Sequence, residues 1–267
     1  MKLQSIQILR GIAALLVVFY HIRAQEMRSI LDNTSSEMPW LSGIVTNGYA
    51  GVDLFFVISG FIMVVVTNGD KPGLRTAADF LFARLTRVYP IWWFFAGIMA
   101  IYLVGFHGLS GMGEGWQSFA RSEPVVPYII KSFLLLPQAE DPILGVGWTL
   151  VHEVYFYLVF TLILLLRRSW LPYCLLAWGL LVIGGWSMGL SGHRPEDLPA
   201  LVFFPMTMEF IFGAATGLLV TSGLAWRAGA ITLLAVLALA ASLCFQGVET
   251  THTLQWGRVM LYGFPSA

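Results

Sequence analysis

Hydrophobic positions along this chain come in long runs rather than in alternation. Stretches of about 20 mostly apolar residues, the length that crosses ~30 Å of hydrocarbon, lie near 8 to 24, 48 to 67, 88 to 106, 143 to 166, 170 to 190, 199 to 221 and 226 to 245. An eighth opens near Trp256 and runs to Ala267. None has the two-residue alternation of a barrel strand, and backbone in lipid must satisfy its own polar groups, so each window predicts a helix. The predicted fold is all-α: a polytopic transmembrane helical bundle with eight spans visible, read as a single membrane domain over 1–267. Lys2 precedes the apolar run Gly11–Tyr20 as it would in a secretory leader. Arg10 abuts that run, however, and no small-residue cleavage site follows, so the first window is expected to remain as a membrane helix.

Composition strengthens the membrane reading. Of 267 residues 57% are hydrophobic and 11% charged, where a soluble domain carries about 25% charged; mean hydropathy is +0.75. So apolar a chain lacks the polar coat of a water-soluble fold and is equally unlike a disordered one. The 15 Lys+Arg balance the 15 Asp+Glu, leaving no basic field to hold nucleic acid by counterion release. Cys174 and Cys244 both sit in apolar stretches, where a thiol behaves as a small hydrophobe. His21, His107, His152, His193 and His252 are scattered rather than spaced as ligands, so no metal is expected.

Orientation follows from the Lys and Arg between spans. With a cytoplasmic N-terminus, nine fall inside and six outside, Arg258 among the six, so the N-in topology is expected. The longest loop, 107 to 142, then lies outside. Within an inner loop, Phe80 to Arg87 places Arg84 and Arg87 three apart on one face of a short amphipathic helix at the membrane surface.

A charge at bilayer depth costs at least ~2.5 kcal/mol, so each one that persists needs a partner, a wet cavity or a reaction to serve. Arg10 and His21 lie eleven residues apart on one helix, ~16 Å along its axis. An imidazole titrates near neutrality and suits a general base; a histidine at a helix end also suits the headgroup region. Asp53, in Gly51-Val52-Asp53-Leu54-Phe55-Phe56, lies near the depth of His21. It suits orienting an imidazole, and equally suits satisfying free N–H groups at a helix start. Glu153 falls about two turns inside its window, and its neighbour His152 points about 100° away. We expect Glu153 to face inward and His152 to be a hydrogen-bonded packing residue. Arg84 and Arg87, beside Tyr89, Pro90, Trp92 and Trp93, suit bidentate phosphate binding as well as a positive-inside anchor with its aromatic belt.

Four blocks together resemble the acyltransferase-3 family of integral membrane O-acyltransferases, in particular its exopolysaccharide-production members. They are Ile6 to Ala14 with His21, Gly51 to Phe61, Arg84-Leu85-Thr86-Arg87-Val88-Tyr89-Pro90, and Trp148 to Glu153 with Phe156 and Tyr157. They stand in the family's order and spacing over residues 6 to 160, and Phe210-Ile211-Phe212-Gly213 is similar to a weaker late element. The resemblance implies transfer of an acyl group, usually acetyl, from cytoplasmic acyl-CoA to a hydroxyl of an exopolysaccharide or other cell-envelope glycan. It also implies a multi-pass protein of the bacterial inner membrane. The acceptor would be a glycan or lipid-linked saccharide, and acetyl-CoA a donor substrate rather than a resident cofactor. By it His21 and Arg10 are essential, Glu153 is implicated, and Arg84 and Arg87 are associated with the donor. Family members usually have more spans, so C-terminal truncation is expected. The family often has Ser where Thr149 and His152 stand, and no role is carried over to those two.

Combined with placement, this gives an expected mechanism. Arg10, Arg84 and Arg87 hold the nucleotide phosphates at the inner face, while the thioester reaches an outer chamber in which His21, Asp53 and Glu153 converge. The rival reading is a proton-coupled transporter of a glycan or small anion, for which buried ionisable groups are equally suited. Transporters usually show two related halves, and no such internal symmetry is visible in the sequence.

Overall fold

A computed structural model describes residues 4–33, 45–108, 123–192, 194–224, 228–245 and 255–267. Among the described residues every regular element is helical. The principal helices are α1 (Gln4–Asn33), α2 (Ala50–Val66), α3 (Leu74–His107), α4 (Val125–Leu134), α5 (Gly147–Ile163), α6 (Leu171–Ser187), α7 (Leu198–Val202), α8 (Thr207–Thr221) and α9 (Ala228–Phe245). A short helical segment Gln255–Arg258 runs directly into a π-helical turn, Val259–Gly263.

Among the described residues four stretches are long and apolar enough to cross a bilayer: Gln4–Glu26, Leu74–His107, Arg168–Ser187 and Leu198–Thr221, the last with a break at 203–206 between α7 and α8. The windows at 48 to 67, 143 to 166 and 226 to 245 hold shorter apolar helices. Side-chain exposure is inverted relative to a soluble protein. Ile8, Leu15, Phe19 and Ile22 on α1 are more than half exposed, as are Ile91, Phe94 and Ile101 on α3, while Asp53 and Glu209 are fully buried. Apolar residues outside and carboxyls inside is the arrangement hydrocarbon demands.

One expected element is different. The surface helix around Arg84 and the third span are a single continuous helix of 34 residues, with Pro90 inside it. Pro90 removes one N–H from the ladder without ending the helix, as membrane helices tolerate. The expected long loop also contains α4.

The chain forms two compact units, Met1–Asn68 with Met208–Ala267, and Gly69–Thr207. In the first, small residues on α2 and on its neighbour α8 bring the helices close. A side chain at Gly51 would strike the Ala13 carbonyl of α1, one at Gly60 the Phe210 carbonyl of α8, and one at Gly213 the Val57 carbonyl of α2. Without hydrocarbon expulsion to press helices together, such close backbone approach is what holds membrane helices. The pairs Val57 with Gly213 and Phe61 with Gly217 advance together along both helices, so α2 and α8 run parallel.

In the second unit, the end of α4 is tied down by α3. Tyr89 donates to the Leu134 carbonyl at 2.9 Å, Trp92 to Ser132 at 3.0 Å and Trp93 to Phe133 at 3.0 Å. The Phe133 and Leu134 carbonyls lie in the last turn, where a helix leaves its own acceptors unpaired, and the Ser132 carbonyl adds the indole donor to a 3.3 Å bond from Leu135 N–H. Gly147, which opens α5, leaves room for Trp92: a Cβ there would come within 2.5 Å of the indole.

Candidate functional site

The parallel register of α2 and α8 decides what meets at their starts. Continued one turn toward the two N-termini, it sets Glu209 opposite Asp53, both in the first turn of their helices. The two carboxyls interact electrostatically, with Arg258 in reach of both. Arg258 enters from the segment before the π-helical turn. Its Nη2 donates to Asp53 Oδ2 at 2.6 Å and its Nε to Oδ1 at 3.3 Å. The guanidinium also lies over the Tyr49 ring, 4.8 Å from its centroid. A forked charge-assisted pair stacked on an aromatic face is a geometry that arginine alone provides.

His21 is linked to this cluster through rings. It packs edge-on to Tyr20 at 5.3 Å, Tyr20 to Tyr49 at 5.5 Å, and Tyr49 to Tyr262 at 5.6 Å. Its own Nδ1 lies 2.7 Å from the Val17 carbonyl. A carbonyl only accepts, so Nδ1 carries the proton and Nε2 presents its lone pair. The group that fixes the tautomer is thus a backbone oxygen one turn away, in the place the sequence reading gave to Asp53. His21 is exposed on α1, and Arg10 is half-buried lower on the same helix.

Glu153 lies in the second unit, half-buried, and accepts a hydrogen bond from Tyr157 one turn on. The Tyr157 ring packs edge-on to Phe80 at 6.3 Å, and Arg84 lies over Phe80 at 5.5 Å, so an aromatic pair links Glu153 to Arg84. Arg87 is exposed on the same helix. Of the neighbours His152 and Glu153 it is His152 that is fully buried, contrary to the expectation that Glu153 turns inward. His152 is a hydrogen-bonded packing residue: Nδ1 lies 3.0 Å from the Trp148 carbonyl, and the ring packs on Phe204 at 4.6 Å.

Of the six residues singled out, the first unit therefore holds Arg10, His21 and Asp53, and the second holds Arg84, Arg87 and Glu153. Two members of the buried cluster, Glu209 and Arg258, were missed. Glu209 is the sole ionisable residue in its apolar window, which the cost of a buried charge alone makes conspicuous. Arg258 had been counted as an outer-loop charge; it is buried against Asp53.

A model of the acyltransferase domain matches residues 3–266. The chain belongs to the acyltransferase-3 family. Among curated relatives of this acyltransferase-3 chain, "Exopolysaccharide production protein ExoZ" of Rhizobium meliloti (strain 1021) is 32% identical over 180 residues, 64% of this chain and 51% of that protein. "Peptidoglycan O-acetyltransferase OatA" of Listeria monocytogenes is 26% identical over 175 residues, 62% of this chain and 25% of that protein. "Nodulation protein 10" of Rhizobium leguminosarum bv. viciae is 29% identical over 154 residues, 52% of this chain and 39% of that protein. The matched region of this chain thus spans about half of ExoZ and less of the other two. No solved structure matches.

Proposed function

We propose that this chain transfers an acetyl group from acetyl-CoA, presented at the cytoplasmic face of the bacterial inner membrane, to a hydroxyl of an exopolysaccharide or related envelope glycan. Membership of the acyltransferase-3 family and similarity to ExoZ support the reaction class and the acceptor class. The observation that carries the chemistry is the His21 tautomer: with Nδ1 committed to the Val17 carbonyl, Nε2 is left as a base. In this reading Nε2 takes the proton from the acceptor hydroxyl as its oxygen attacks the thioester carbonyl carbon. The C–S bond breaks, and the same proton passes to the departing CoA sulfur.

Arg10, Arg84 and Arg87 are assigned to the donor's phosphates, since guanidinium forks suit them. Glu153, held by Tyr157, is assigned to the acceptor side as a second hydrogen-bond acceptor for the sugar. Asp53 is a positioning residue: it anchors Arg258 against Tyr49, and Tyr49 supports Tyr20 beside His21.

Purified protein in detergent, given radiolabelled acetyl-CoA and an oligosaccharide acceptor, tests this reading. Label on the acceptor supports it. Movement of glycan across proteoliposomes with no label incorporated would favour the transporter reading instead.

A further inference from the structure

Three ionisable side chains meet in the first unit where no water-facing surface reaches them: Asp53 and Glu209 are fully buried and Arg258 is 8% exposed. Among the described residues, Arg258 spends its fork on Asp53. Glu209 is placed differently. Neither Oε1 nor Oε2 receives a hydrogen bond from any N–H or O–H group among the described residues, whereas a buried carboxylate normally gathers several such donors. The start of α8 favours negative charge in general, but no backbone amide reaches these oxygens. What Glu209 does face is another carboxyl, that of Asp53.

The position is built. Gly263 closes the π-helical turn that begins directly after Arg258, and a Cβ on it would lie 2.6 Å from Glu209 Cγ and 2.9 Å from Oε1. Any larger residue there would displace the carboxyl. Two carboxyls and one guanidinium sealed from water leave one negative charge too many unless a proton is present. An oxygen pair that accepts nothing and faces a carboxylate can be satisfied only by donating.

We propose that Glu209 carries a proton and donates it in a hydrogen bond to Asp53, making the trio with Arg258 electrically neutral, and that Glu209 is thereby a positioning residue for acyl transfer. The charged and titratable groups facing it are Asp53 from α2 and Arg258 from the segment after α9. The hydrogen bond sets the angle at which Asp53 presents its oxygens to Arg258, and through Tyr49 the ring contacts continue to Tyr20 and His21. The activity half of this proposal rests on the acyl-transfer reading; the protonation half does not.

Infrared spectroscopy of the purified full chain reads protonation without any substrate. A protonated-carboxyl C=O band that is present in the unmodified chain and lost in E209Q is expected. Persistence of that band in E209Q, or its absence from the unmodified chain, overturns the proposal. In the transfer assay E209Q, whose amide N–H replaces the donated proton, should retain at least about a third of the rate, while E209A should lose about tenfold or more in kcat with donor KM little changed. E209Q that is as inactive as E209A, or that no longer folds, shows that the negative charge is needed and also overturns it. A chain that shows the band but transfers no label with any donor refutes the acyl-transfer reading and the positioning role, and leaves the protonation result standing.

Discussion

Arg258 grips Asp53 from 205 residues away in sequence, with an Nη2 to Oδ2 distance of 2.6 Å and both groups buried. This pair fastens the last described segment to the start of α2. Breaking one side strands a charge, so Arg258→Met should destabilise the fold by about 3–5 kcal/mol. Asp53→Asn combined with Arg258→Met should recover part of that loss. Thermal unfolding in detergent of the two single variants and the double variant checks this, and strictly additive losses would contradict coupling.

The glycine contacts predict which small residues hold the helices. Gly213→Ala inserts a methyl where the Val57 carbonyl lies, whereas Gly97 and Gly105 have open space around them. Gly213→Ala should cost about 1–3 kcal/mol through overpacking. Gly97→Ala should be neutral or slightly stabilising, because alanine is the better helix former. Unfolding midpoints of the two variants side by side are the check.

The aromatic donors at the end of α4 predict a smaller, specific loss. Trp92→Phe keeps most of the ring but removes the 3.0 Å donation to Ser132. Leu135 N–H still reaches that carbonyl at 3.3 Å, so loss of the indole bond should cost about 0.5–1.5 kcal/mol. Trp93→Phe removes an equivalent bond from a ring that is about half exposed and should cost less, as denaturation of both variants would reveal.

Much of this was legible in the sequence, and the failures have definite physical causes. Apolar windows gave the helices because hydrocarbon permits few alternatives to a helix. The alternation of spans made the second and sixth windows run the same way, as the parallel pair α2 and α8 does. The divergence of His152 and Glu153 followed from helix geometry, but which of the two is buried depends on Phe204 and Trp148, 52 residues and four residues from His152. Asp53 was conspicuous as a carboxyl in an apolar block. Its partners were not, since Arg258 stands at the edge of a window, where a charge is usually solvated, and Glu209 becomes meaningful only once α8 is laid beside α2. The surface helix was read as ending at Arg87 and the third span as opening at 88, whereas the two are one helix that also runs through Pro90, since a proline breaks helices less in membranes than in water.

The donor assignment predicts a split in kinetics. Arg84→Ala and Arg87→Ala should raise the KM for acetyl-CoA by roughly tenfold each with kcat nearly unchanged, the pattern of lost uniform binding. Initial rates at varied acetyl-CoA concentration measure it; a fall in kcat at constant KM would move these arginines from binding to chemistry.

Under the proposed function, His21 Nε2, freed by the Val17 carbonyl, is the base for acetyl transfer to a glycan hydroxyl. The direct measurement is the rate of radiolabel transfer from acetyl-CoA to an oligosaccharide by the unmodified chain and by His21→Ala, with helical content followed by circular dichroism. Labelled acceptor is expected from the unmodified chain, with a loss of roughly 10²- to 10⁴-fold in the folded variant. Labelled acceptor produced by His21→Ala at the unmodified rate would contradict it.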